Sequence, residues 1–152
     1  NVLGLQPGTL GKDILKNGLT QLKTLYPEVT VIEKNKVISI TKTNTFFTIK
    51  TNKNSYTCEH AVIAVGYTNL INIKGLESYI EPHPKALTEK NRVWLKNTNH
   101  CVDDNLYVAG SLAGERSQFA IACGSGAQVA TDILTLWNNG KHTKIHDKVI
   151  VN

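Results

Sequence analysis

The first regular pattern of hydrophobic positions has helical spacing. Four apolar residues recur at intervals of four, three and four, which places them on one face of an amphipathic helix. These residues are Leu15, Leu19, Leu22 and Tyr26. Pro27 follows directly and cannot continue the backbone hydrogen-bond ladder. The pattern therefore predicts a helix from about Leu10 to Leu25 that ends before this proline.

The pattern changes to short β-branched and aromatic runs after Pro27. Three runs, Val29–Glu33, Lys36–Thr43 and Thr45–Thr51, are separated by asparagine-containing breaks, and asparagine is a common turn residue. Short strands with tight breaks are typical of an antiparallel sheet in which successive strands pair. We therefore predict a β-meander over about residues 29–58.

Two later runs are apolar without alternation. His60–Val65 ends at Gly66, and Asn105–Ala109 ends at Gly110. A continuous apolar run of this length is typical of a strand buried on both faces of a parallel sheet. Between the two runs, Arg92–Lys96 predicts one more short strand.

A long helical pattern occupies the region from Ser117 to Trp137, before the breaking residues Asn138 to Gly140. One face carries mainly small and apolar residues, namely Ala122, Gly126, Val129, Ala130, Ile133 and Trp137. Gly124, Gly126 and Ala127 are expected to let this helix approach a sheet or a ligand closely. The Val-Ile-Val run near the end of the chain predicts an edge strand. Together these elements indicate an α/β fold.

Composition narrows the class of protein. The chain has 152 residues, 41% of them hydrophobic and 19% charged, which fits one globular domain. The net charge of +5 comes mostly from lysines scattered along the chain, with Arg92 and Arg116 as the two arginines. Nucleic-acid binders more often cluster their charge and use arginine, so we expect a solvated lysine surface and no nucleic-acid partner. We also expect no membrane span, since no apolar run of roughly 18 to 20 residues is evident.

The cysteines and histidines do not form a recognisable site. Cys58, Cys101 and Cys123 are widely spaced and include no CxxC pair, which favours free thiols in a reducing, cytoplasmic setting. His142 and His146 are four residues apart, but the helix breaks before them and no carboxylate completes a ligand set. We therefore predict no metal site.

The segment 105–134 carries the most specific signal. Ala109-Gly110-Ser111 ends a strand, Ser117-Gln118-Phe119 opens a helix, and Gly124-Ser125-Gly126 lies within that helix. This order resembles the carboxy-terminal FAD-binding motif of the thioredoxin-reductase-like flavoproteins, a family of pyridine nucleotide-disulfide oxidoreductases. The run at 60–68 is similar to the family's strand before its "ATG" turn, and the meander occupies the position of the family's β-insertion.

The resemblance implies a three-layer FAD/NAD(P)-binding fold with a parallel sheet and an antiparallel meander, and FAD as the cofactor. The residues carried over as cofactor-binding are Asn1, Gly66, Gly110, Ser111, Gln118, Phe119 and Ala120. In the family, the positions matching Gln118 and Phe119 offer backbone amides to the pyrimidine edge of the flavin. No catalytic side chain is indicated.

The sequence departs from the family in three places. Ser111 stands where the family has an aspartate, and a hydroxyl is a weaker acceptor than a carboxylate. No GxGxxG occurs, and the chain begins at Asn1 rather than Met, so we expect that the first βαβ unit is missing and is supplied by a preceding segment or a second chain. Only about 40 residues separate Gly66 from Asn105, too few for an inserted NAD(P)H domain.

These features predict a FAD-dependent oxidoreductase that transfers electrons or hydride through its flavin and receives them from a separate small-molecule or protein donor. NAD(P)H would act only through that donor, and a homodimer remains open. The alternative is a flavin-free binding or structural module on the same scaffold. A weaker alternative is a lysine-rich surface that binds an acidic partner. The substrate is not indicated.

Overall fold

The computed structural model describes residues 2–68 and 71–143. The described residues divide into two compact units, with the boundary between Lys34 and Asn35. The first unit contains one helix, α1 (Gly11–Leu25), which confirms the predicted amphipathic helix. None of its residues is buried, and Leu15 on the predicted apolar face is 76% exposed. This helix therefore adds nothing to the buried core.

The predicted strand Val29–Glu33 is wrong, because these residues form no strand. Val29 and Ile32 are each about half exposed, and Lys34 adopts a left-handed conformation with φ of 55°. With no core beneath these side chains, β-branched composition alone does not produce a strand. The meander starts at Val37 rather than near residue 29.

The second unit begins with the β-meander. It consists of β1 (Val37–Thr43), β2 (Phe46–Thr51) and β3 (Ser55–Cys58), paired antiparallel in the order β1-β2-β3. Asn44 takes a φ of 54° in the tight turn between the first two strands, a conformation that asparagine tolerates well. Thr51 closes the next turn by accepting hydrogen bonds from the amides of residues 53 and 54. From residue 37 onwards the predicted meander is confirmed.

Five short strands follow in the described part of the chain. They are β4 (Ala61–Ile63), β5 (Ile80–Pro82), β6 (Val93–Leu95), β7 (Cys101–Asp103) and β8 (Leu106–Val108). Strands β5 and β6 form an antiparallel pair, which confirms the short strand predicted at 92–96. The other three form a mixed sheet in the order β4-β8-β7, with β4 and β8 parallel as predicted. The structure is thus a mixed α/β arrangement of small sheets.

Strand β4 is buried on one face only, contrary to the prediction that the 60–65 run is buried on both. Ala61 and Ile63 are buried, whereas Val62 on the other face is 44% exposed. On this second face, Val62 borders an open cavity of about 590 Å³ whose wall also includes Ile133 and Trp137. The second face of β4 is therefore only loosely covered.

The core of the second unit collects side chains from the meander, the mixed sheet and the connecting loops. Its largest fully buried side chains are Phe47, Leu76, Leu95, Leu112 and Val108, whereas Val129 belongs to a smaller cluster with Ala109 and Ile133. The loop at Lys74 joins the meander to this core, because its carbonyl accepts the Ile40 amide and its amide donates to the Ile38 carbonyl. Gly75 follows with a φ of 93° and lies directly against the Ile40 carbonyl.

Helix α2 (Phe119–Trp137) confirms the predicted long helix, but its inner face differs in part. Val129 and Ile133 are buried as expected, whereas Trp137 is 62% exposed and donates its indole N–H to His60. Gly124 and Gly126 are not close-packing residues, since a Cβ on either would meet no atom within 4 Å. The residue between them, Ser125, is the buried one.

By length and composition alone, α2 is apolar enough to cross a membrane, a property that the sequence analysis missed. The same test is passed by core helices of soluble proteins. The predicted Val-Ile-Val edge strand lies outside the described residues.

We predict opposite effects for alanine at two glycines of the second unit. Gly75→Ala should lower the free energy of unfolding by at least about 1–3 kcal/mol, because the new Cβ meets the Ile40 carbonyl and φ is positive. Gly124→Ala should raise it by about 0.5–1 kcal/mol, because the site is open and lies within a helix. Urea unfolding followed by circular dichroism measures both. A neutral Gly75→Ala would contradict the packing described here.

Candidate functional site

Two glycines mark the carboxyl ends of the parallel strands β4 and β8. Gly66 has φ of 80° and Gly110 has φ of 74°, so both are left-handed, where glycine is favoured. A Cβ on either would meet no atom within 4 Å, so there is open space beside both backbones. The Ala109 amide donates to the Ile63 carbonyl at 3.0 Å and extends the parallel pairing to this edge. In open α/β sheets, ligands bind at this edge.

The start of α2 provides free backbone donors. Gln118 is the N-cap residue, and no side chain caps the helix. The first intrahelical bond runs from the Ala122 amide to the Gln118 carbonyl, so the amides of residues 119–121 have no acceptor within the helix. The Gln118 amide, which the resemblance assigned to the flavin, instead donates to the Arg116 carbonyl at 2.8 Å. Phe119 and Ala120 are exposed. This helix start can therefore receive a hydrogen-bond acceptor or a negative charge.

Ser111 lies in a short 3₁₀ turn, Gly110–Ala113, directly after β8. Its carbonyl is held by the buried His83, whose Nε2 lies 3.0 Å from it. The other ring nitrogen, Nδ1, accepts the Lys85 amide at 3.1 Å, so Nε2 carries the ring proton and donates. Both nitrogens of His83 are thus engaged, and the ring fixes the loop that follows β8.

Ser125 fixes the backbone of Gly110 from the helix side. Its hydroxyl accepts the Gly110 amide at 2.8 Å and is itself buried. His100 Nδ1 lies 3.5 Å from the same hydroxyl and donates to the Val108 carbonyl at 3.1 Å. The serine between the two helix glycines therefore holds the glycine at the end of β8 in place.

Tyr67 joins the end of β4 to the start of α2. Its hydroxyl lies 3.3 Å from the Ser117 hydroxyl, and its ring meets the edge of His83 at 5.4 Å between centroids. The Arg92 guanidinium lies over the same ring, 4.9 Å from its centroid. A cavity of about 230 Å³ borders Tyr67, His83 and Ser117 and reaches Gln118.

Opposite charges pair at the rim of this cavity. The Lys85 ammonium lies 2.8 Å from the Glu115 carboxylate. This hydrogen bond holds the pKa of Glu115 below the ordinary value of a glutamate. The pair is partly exposed, so its contribution to stability is small.

Six of the seven cofactor-binding residues named from the sequence lie at this edge of the sheet. Gly66, Gly110 and Ser111 follow the two strands, and Gln118, Phe119 and Ala120 begin the helix. The seventh, Asn1, lies outside the described residues. Whether any of them binds a cofactor stays a prediction. Sequence reasoning gave no role to Tyr67, His83 or Arg92. These residues lie in loops and beside a strand end, where the sequence has no periodic pattern. Their proximity therefore becomes visible only in the folded structure.

We predict that Ser125→Ala lowers the free energy of unfolding by about 1–3 kcal/mol, because the Gly110 amide loses its buried acceptor. Thr131→Ala on the same helix is the matched control. The Thr131 hydroxyl bonds only the Ala127 carbonyl one turn earlier, so a change within about 0.5 kcal/mol is expected. Urea unfolding compares the two variants, and equal effects would show that the Gly110 contact is unimportant.

Comparison with known proteins supports the fold. No family model and no curated protein matches the sequence. Among solved structures, the chain is similar to the bacillithiol disulfide reductase of Staphylococcus aureus, with a TM-score of 0.55 and 16% sequence identity. The match covers 88% of this chain and 76% of that chain. At this identity, what the two proteins demonstrably share is the fold.

Proposed function

We propose that this chain is part of a FAD-dependent oxidoreductase and that the flavin lies at the carboxyl edge of β4 and β8. The observation that carries the proposal is the uncapped start of α2 beside two glycines with open space above them. The fold likeness to a disulfide reductase supports a redox role of this kind.

The residues at this edge fit one end of the cofactor. The amides of Phe119 and Ala120 have no intrahelical acceptor and would hold the electron-rich pyrimidine edge of a flavin. Gly66 and Gly110 leave room for a planar group to approach the backbone. When bound, FAD supplies the electron or hydride transfer, while the protein supplies binding, orientation and a favourable electrostatic environment.

Ser111 is the weak point of this site. The family's aspartate would offer a charged acceptor, whereas Ser111 offers a hydroxyl. His83 holds the Ser111 carbonyl, so the backbone at this position is fixed although the side chain is changed. We therefore propose that FAD binds here more weakly than it would with an aspartate.

Electrons would come from a separate small-molecule or protein donor, since the chain has too few residues between Gly66 and Asn105 for a second nucleotide domain. The three cysteines are unpaired in the described residues, which suits a reducing compartment such as the cytoplasm.

We further propose that another β-strand pairs with the free edge of β4. Strand β4 has one partner among the described residues, and an unpaired edge of this kind readily accepts a strand. A cavity of about 590 Å³ adjoins this edge, and its wall includes the exposed side chains of Phe46, Val62 and Trp137. The strand would come from a preceding segment of the same polypeptide or from a second chain, including a second copy. It would complete the three-layer fold and bring the binding surface for the rest of the cofactor.

We predict that the purified full-length protein, with the strand that completes its sheet, takes up FAD and that Ser111→Asp tightens binding about tenfold, because a charged acceptor replaces a neutral one. Titration followed by flavin fluorescence and the visible spectrum measures both. Ser55→Asp is the control, since Ser55 is exposed on β3 and an added carboxylate there should leave the affinity unchanged. A colourless protein that takes up no FAD would favour the flavin-free module instead.

The proposed strand on β4 predicts slow hydrogen exchange at Val62. In a parallel pair, alternate residues direct their N–H and C=O groups to opposite sides, and Ala61 and Ile63 bond towards β8. The Val62 amide therefore points to the free edge and should be as protected as Ile63 if a strand covers it. Fast exchange at Val62 would contradict the proposal. Intact mass and sizing then distinguish a longer polypeptide from a second chain.

A further inference from the structure

A third cavity, which shares His83 and Leu87 with the cavity beside Gln118, lies where the β5–β6 pair runs into the loop 83–92. Its volume is about 350 Å³, within the range of small-molecule sites. The walls are largely apolar and include Ile80, Leu87 and Val93. Leu87 is 59% exposed, so part of this apolar surface faces the solvent.

One cation stands out on this wall. Arg92 is half-buried, and its Nε is buried without any hydrogen-bond acceptor among the described residues. No carboxylate among the described residues forms an ion pair with Arg92. Its guanidinium instead stacks over the Tyr67 ring. A partly buried guanidinium without a counter-ion is unfavourable, because desolvation is not repaid by pairing.

The other ionisable groups around the cavity are already occupied. Glu81 lines it, but its carboxylate pairs with the Lys96 ammonium at 3.2 Å. His83 also lines it, but both ring nitrogens are used, by the Ser111 carbonyl and by the Lys85 amide. Arg92 is therefore the group on this wall that still lacks a partner of opposite charge.

We propose that this cavity binds a small carboxylate with an apolar body. The carboxylate would pair with Arg92, whose planar fork matches its two oxygens. The apolar body would lie against Ile80, Leu87 and Val93 and remove their surface from water. The proposal goes beyond the flavin function and does not depend on it.

The test titrates the full chain, without flavin, with hexanoate and with its uncharged isostere hexanamide. Isothermal calorimetry at low salt measures the affinity. We expect saturable binding of hexanoate, at least about tenfold tighter than that of hexanamide, because a hydrogen bond to a charged group is worth roughly 1.5–3 kcal/mol. This comparison uses only the unaltered protein and so does not depend on whether a variant folds. Absence of saturable hexanoate binding, or equal affinity for the amide, would overturn the proposal.

Two variants then locate the site. Arg92→Gln should weaken hexanoate binding about tenfold or more by the same energetics. Lys90→Gln removes the same charge from an exposed residue of the same loop that does not line this cavity, and should change the affinity less than about twofold, since exposed charges are screened. Equal weakening by both variants would show general attraction to a basic loop and would refute the site. A failure of FAD uptake leaves this result unaffected.

Discussion

The parallel pairing of β4 with β8 is the constraint on which the candidate site depends. It brings together segments that are 45 residues apart along the chain, with Ile63 opposite Val108. Parallel strands end at the same edge, so Gly66 and Gly110 leave the sheet side by side. The loop after β8 then enters α2, and its buried Ser125 bonds back to Gly110. The register of one strand pair thus sets the glycine backbones and the start of the helix in one place.

Loops complete what the strands begin. His83 spans the gap between the loop at residues 83–85 and the turn after β8, using one nitrogen for each. Tyr67 connects the end of β4 to Ser117 before α2. Each contact satisfies a polar group close to the sheet edge, and together they limit how far the loops can move apart. A site built in this way is held by specific hydrogen bonds rather than by the size of the core beneath it.

The spacing of apolar residues predicted the elements well where the pattern extends along a continuous segment. The helix α1, the meander from Val37 and the helix α2 followed from spacing and breakers alone. It failed where the outcome depends on a neighbour in space. Val62 was predicted to be buried but borders an open cavity. Gly124 and Gly126 of α2 were predicted to pack closely, whereas the buried residue is Ser125 between them. The meeting of Tyr67, His83 and Arg92 has no sequence signal, because it arises from loop closure.

The open edge of β4 and the one-sided fit of the proposed cofactor have a common geometric origin. A flavin dinucleotide needs donors at both ends, and the described residues supply one set, at the start of α2. If the added strand runs parallel to β4, it would end at the same carboxyl edge as Gly66, because parallel neighbours share their direction. The turn after that strand would therefore face the first turn of α2 across the sheet edge. Completing the sheet and completing the cofactor site are then one structural event, and the exposed Val62 marks where it takes place.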